Sequence, residues 1–141
     1  MSGAELTLTP GLDALRLFLH VLAAAIWVGG QFVMLGLIGT ARELGDEAPK
    51  KLARAFAKLS WPAFAVLVLT GFWNLAALHP HGRTTAGWNM VMGIKFLLVI
   101  LAGLGAWLHG RVTSKGSMAA WGSIAGTASL LALLAGVLLA G

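Results

Sequence analysis

The chain has 141 residues, of which 58% are apolar and only 11% charged, and its mean hydropathy is +0.85. That leaves too little charge to cover a water-soluble domain, and with no cysteine, disulfides, thiolate metal sites and thiol redox chemistry are excluded. A formal net charge of +5 could mark a nucleic-acid binder, but the basic residues flank apolar runs, where they orient a membrane protein instead.

Four apolar runs follow one another, each close to the roughly 20 residues that span a hydrocarbon core of about 30 Å. The first covers about 14–38, too long for a cleavable signal and with only Arg16 near its start. The stretch from Thr40 to Lys58 carries Glu43, Asp46 and Glu47, then Pro49 and the cations Lys50, Lys51, Arg54 and Lys58. Acids and a proline ahead of helix formers predict a helix start at the membrane surface, leading into a second span at about 59–78. Pro62 then falls in that span's first turn, where a missing amide costs least. The third span covers about 90–109 and the fourth about 118–140, with Gly122 and Gly126 in a G-x-x-x-G spacing that predicts close helix packing. The expected fold is all-α: one domain over 1–141, an up-down four-helix bundle in the membrane.

Seven cations lie in the first and third connections (Arg42, Lys50, Lys51, Arg54, Lys58, Arg111 and Lys115), against Arg16 and Arg83 on the other side. The cytoplasmic excess of Lys and Arg predicts both termini outside, in a multi-pass membrane protein. Trp61, Trp107 and Trp121 fall at the inner edges of the spans, and Trp73 and Trp88 at the outer ones.

Ionisable groups inside a bilayer are costly and are candidate functional groups. His20 and Lys95 each lie about six residues into a span from the outer side, roughly 9 Å deep, and Asn74 reaches a similar depth on the second span. On the first span His20, Trp27, Gln31 and Met34 share one helical face; on the third, Lys95 shares a face with Ala102, Ala106 and His109. The small alanines leave room for a close helix or a flat cofactor. Thr70 and Asn74 stand one turn apart. Each group also has a plainer reading: His20 bonded to a neighbouring carbonyl, Lys95 snorkelling outward, Asn74 and Gln31 as glue between helices. His109, at the inner end of the third span, is placed to bond the last carbonyls there and is no partner for His20. His79 and His81 in the outer loop could capture a metal at the entrance, with Met90 and Met92 nearby, although two imidazoles alone make a weak site.

The stretch Leu19-His20-Val21-Leu22-Ala23-Ala24-Ala25-Ile26-Trp27-Val28-Gly29-Gly30 resembles the first helix of the copper-resistance D (CopD) family, which places a histidine seven residues before Trp-x-Gly-Gly. Ile94-Lys95-Phe96 is similar to that family's lysine-bearing helix. The resemblance covers nearly the whole chain as a four-span unit, and implies copper uptake across the bacterial inner membrane with a periplasmic copper-binding partner. More distantly, His20 and Lys95 match the first-helix histidine and later lysine of the membrane protoporphyrinogen oxidases that bind haem b. The chain departs from these in lacking a Pro-Arg-Leu-Phe segment after the first helix, and His109 falls about one turn beyond their later histidine.

Two cofactors therefore stay open, copper and haem b. For copper, His20, His79, His81, Met90 and Met92 are the candidate ligands, though Lys95 would repel a cation at the same depth, and a path through so small a bundle calls for a homo-oligomer. For haem, His20 is the axial ligand, Lys95 pairs with a propionate, Trp27 packs on the ring and Asn74 lines the site. A third reading is a non-catalytic accessory subunit. With all five acids outside the spans and no nucleophilic triad or phosphate loop, a hydrolase or ATP-driven pump is excluded; an enzyme, if any, would be a haem-dependent oxidoreductase.

Overall fold

The computed structural model describes residues 8–78 and 84–140, and every regular element among them is a helix. The first helix runs Gly11–Glu43 over 33 residues, broken only by a π-turn at Ala25–Gly29. The second covers Ala48–Leu78 (31 residues), the third Ala86–His109 (24) and the fourth Lys115–Ala140 (26). All four are long and apolar enough to cross a membrane. Each begins or ends beyond its predicted span, because hydropathy marks only the hydrocarbon portion while the backbone stays helical until a breaker stops it.

The breakers are local. Pro10 precedes the first helix, its carbonyl accepting from the Ala14 amide at 2.8 Å, and Asp13 sits in the first turn where the helix dipole favours an acid. Gly45 turns the chain at φ +115°, a left-handed value that a side chain adopts only with strain. Thr85 caps the third helix by accepting from the Trp88 amide at 3.1 Å. The second helix starts at Ala48 and leads unbroken into the span, as the acids and proline predict, but the place of Pro62 departs from expectation. Pro62 lies well inside one continuous helix, which at about 1.5 Å per residue is roughly 46 Å long and overruns the hydrocarbon at its cationic start.

Apolar side chains cover the outside. Leu69, Phe72, Leu97, Ile100 and Val137 are all more than half exposed, which water would not tolerate over so large a surface but lipid does. Inside, the chain is packed with small residues: Ala102, Ala125, Ala128, Ala132 and Ala135 are buried. The third and fourth helices approach most closely where Gly105 faces Ala125; a Cβ on Gly105 would stand 3.0 Å from the Ala125 amide nitrogen. Gly122 of the G-x-x-x-G pair joins that seam, lying under the His109 ring of the third helix, while Gly126 faces the Gln31 amide oxygen of the first.

One aromatic layer joins all four helices. Trp27 is 4% exposed, its ring centroid 4.4 Å from Phe64 and 5.6 Å from Trp61 on the second helix. Gly103 of the third helix admits the Phe64 ring, since a Cβ there would meet it at 2.8 Å. From the fourth helix, Ser129 accepts from Trp27 Nε1 at 3.0 Å. Just below, Gly30 lies flat against the Phe56 ring, a close approach that the Gly29-Gly30 pair makes possible.

Candidate functional site

Counting residues from the aromatic layer locates a second level. His20 lies seven residues from Trp27, Gly136 seven from Ser129, Gly71 seven from Phe64 and Lys95 eight from Gly103, all toward the end that carries the N-terminus. At 1.5 Å per residue the four positions share a level about 10 Å from the aromatic layer. Side-chain contacts agree. His20 Nδ1 lies 2.8 Å from Thr70 Oγ1, and a Cβ on Gly71 would meet His20 Cε1 at 3.5 Å. Lys95 reaches across to the fourth helix, its Nζ 3.1 Å from where a Cβ on Gly136 would stand. Glycine on two walls leaves these side chains their space.

The hydrogen bonds fix the imidazole. Thr70 Oγ1 donates to the Val66 carbonyl at 2.6 Å, so its proton is committed and the oxygen accepts from His20 Nδ1–H. His20 thus carries its proton on Nδ1 and keeps the Nε2 lone pair free. That is how metal-binding histidines are oriented by a neighbouring acceptor.

One turn above, the same two helices repeat the pattern. Arg16 donates from NH1 to Asn74 Oδ1 and from NH2 to Asp13 Oδ1 at 2.9 Å. Stepping four residues along one helix and four back along the other turns His20–Thr70 into Arg16–Asn74, the register of an antiparallel pair. The Arg16 side chain is only 11% exposed, and its Nε is a buried donor without a partner among the described residues. Lys95 Nζ likewise makes no hydrogen bond or ion pair among the described residues. Two cations thus belong to this end of the bundle, Lys95 at the His20 level on the third helix and Arg16 one turn beyond it on the first.

The remaining sequence candidates are dispersed. Trp27 belongs to the filled aromatic layer below, and Ala102, 2% exposed, is covered by the bundle, so the third-helix alanines serve helix packing. Gln31 donates to Ser129 Oγ at 3.2 Å and to the Trp27 carbonyl at 3.0 Å; it is glue between helices. Met90 is 63% exposed and Met92 half-buried, while His79 and His81 lie outside the described residues. His109 bonds the Met118 carbonyl at 2.7 Å, pinning the third connection from the far end of the bundle. A recess of about 360 Å³ lies between the third and fourth helices, lined by Leu98, Leu101, Ile124 and Thr127, and does not touch His20 or Lys95.

Sequence reasoning missed Arg16 and Ser129 as interior polar groups. A cation near the start of a span reads as a topology signal, and a serine among alanines reads as packing. The legible signal was the pairing of Arg16 with His20 and of Thr70 with Asn74, each one turn apart on consecutive helices.

Fold and site together define a multi-pass helical membrane protein with a polar level built into its interior near one end. No family model, curated protein or solved structure matches the chain.

Proposed function

We propose that this chain is a haem-binding protein of a bacterial cytoplasmic membrane, with His20 as axial ligand through Nε2 and both termini outside. One observation carries the reading: a histidine whose Nδ1 proton is committed to Thr70 while Arg16 and Lys95 supply positive charge around it. The donor set fits a b-type haem, which needs one imidazole nitrogen for the iron and cations for its propionates. Bound there, haem would supply one-electron iron chemistry, and the chain's part is to hold it: His20 ligates, Thr70 orients His20, and Lys95 pairs with a propionate. The resemblance of His20 and Lys95 to the haem-binding membrane oxidases points the same way.

Copper handling, implied by the His20 to Gly30 resemblance, uses the same Nε2 but suits its surroundings less. Lys95 at the level of His20 and Arg16 one turn along the same helix as His20 oppose a third positive charge there.

The test is optical and elemental. Protein purified in detergent from haem-replete cells should show a Soret band with about one haem per chain, and His20→Ala should lose it while staying as helical as haem-free wild type. A colourless wild type that cannot be loaded with haemin refutes the reading; copper retained in a His20-dependent way transfers the site to the copper alternative. Orientation is checked separately. Because the chain has no cysteine, Thr84→Cys should react with an impermeant maleimide on intact cells and Ser114→Cys only after permeabilisation. The reverse pattern would invert the topology.

A further inference from the structure

We infer that Arg16 and Lys95 together form a clamp for a ligand carrying two carboxylates, with Arg16 the second anchor that His20 and Lys95 leave unassigned. The inference rests on the haem reading and sharpens it by giving each propionate its own cation.

Three observations support it. The Arg16 guanidinium is held in place by Asn74 and Asp13 through its two NH groups, yet Nε stays buried with its hydrogen unaccepted. A buried donor to a charged group is costly to leave unmet, and a carboxylate oxygen is the acceptor that fits it best. Lys95 stands on a different helix at the level of His20, turned toward Gly136 and with no anionic partner among the described residues, while Arg16 lies one turn beyond His20 on the first helix. Charge also balances. Asp13, Arg16 and Lys95 sum to +1 with His20 neutral; ferric haem, with a singly positive core and two propionates, carries −1. The loaded level is neutral, which a low-dielectric interior favours; a cuprous ion in its place would raise the charge to +2.

The test compares haemin with its dimethyl ester, which has the same iron and ring but no carboxylates. Haem-free full-length protein in detergent is titrated with each, and the Soret band is followed. Wild type should bind haemin at least about tenfold more tightly than the ester. Arg16→Gln and Lys95→Met should each weaken haemin by about tenfold and leave ester affinity unchanged, whereas His20→Ala should weaken both. Arg16→Lys, which keeps the charge in a fold-conserving change, should retain most of the preference for haemin. Equal wild-type affinity for haemin and ester overturns the clamp while leaving His20 ligation standing. So does an Arg16→Gln variant that loses both ligands alike, since that is a structural role. If wild type binds neither compound, the haem reading itself fails, and the clamp with it.

Discussion

Two interior layers of this bundle contain polar side chains, and they treat those groups in opposite ways. In the aromatic layer the buried polar groups are answered within the chain: Trp27 Nε1 and Gln31 Nε2 converge on Ser129, which passes its own proton to the Ala125 carbonyl at 2.7 Å. About 10 Å away, at the His20 level, the groups are oriented but left open. His20 keeps a lone pair, Arg16 an N–H and Lys95 a whole ammonium. Polarity that closes on itself holds helices together; polarity that is positioned and unanswered is poised for something else. The distinction lies in hydrogen-bond accounting, not in residue type, since serine, threonine, tryptophan and histidine all occur between the two layers.

Substitutions can break or sharpen that contrast. The largest effect is expected where backbone meets backbone. Gly105→Val places carbon 3.0 Å from the Ala125 nitrogen and 3.2 Å from its Cα, neither of which can move aside, and should destabilise the bundle by roughly 3 kcal/mol in detergent unfolding. Gly93→Ala, with nothing within 4 Å, should leave the melting temperature unchanged. Next, Trp27→Phe removes the bond to Ser129 and should cost about 1 kcal/mol while haem occupancy stays at the wild-type level. A loss of occupancy there would erase the division between the layers. Thr70→Val should do the converse: stability within about 1 kcal/mol of wild type, and haemin affinity lowered about tenfold because His20 loses the acceptor that fixes its tautomer.

The smallest effect belongs to the surface pair Lys50–Glu47, at 2.7 Å. The Lys50 hydrogen bond and charge hold the Glu47 carboxyl below its usual range, so the pair's contribution is present above that range and is lost as pH falls through the folded-state value. Both side chains are well exposed, and Lys50→Gln should leave the neutral-pH melting temperature unchanged within error.

Much of this architecture was legible in the sequence because hydropathy is a long-range sum: four runs of about twenty apolar residues have one sensible reading, and the fold has four matching helices. The common level of His20 and Lys95 was legible too, since a constant rise per residue converts position into height, whereas Asn74 falls one turn beyond it, beside Arg16. Side-chain partners were not. That Asn74 answers Arg16 depends on the register of two helices, and the π-turn at Ala25–Gly29 alters the phase of the first helix in a way that no periodicity count foresees. The G-x-x-x-G spacing was half informative for a similar reason: Gly122 meets the third helix at the His109 ring, but Gly126 faces Gln31 of the first, and the closest backbone approach is Gly105 against Ala125.

The most direct measurement is electron–nuclear double resonance on the ferric protein carrying ¹⁵N-labelled histidine. One strongly coupled ¹⁵N imidazole nitrogen should appear in wild type and in Trp27→Phe, vanish in His20→Gly and return when ¹⁵N-labelled free imidazole is added. A histidine coupling that survives in His20→Gly, or a wild type that takes up no iron porphyrin to observe, would contradict the assignment of His20 as the open ligand of the bundle.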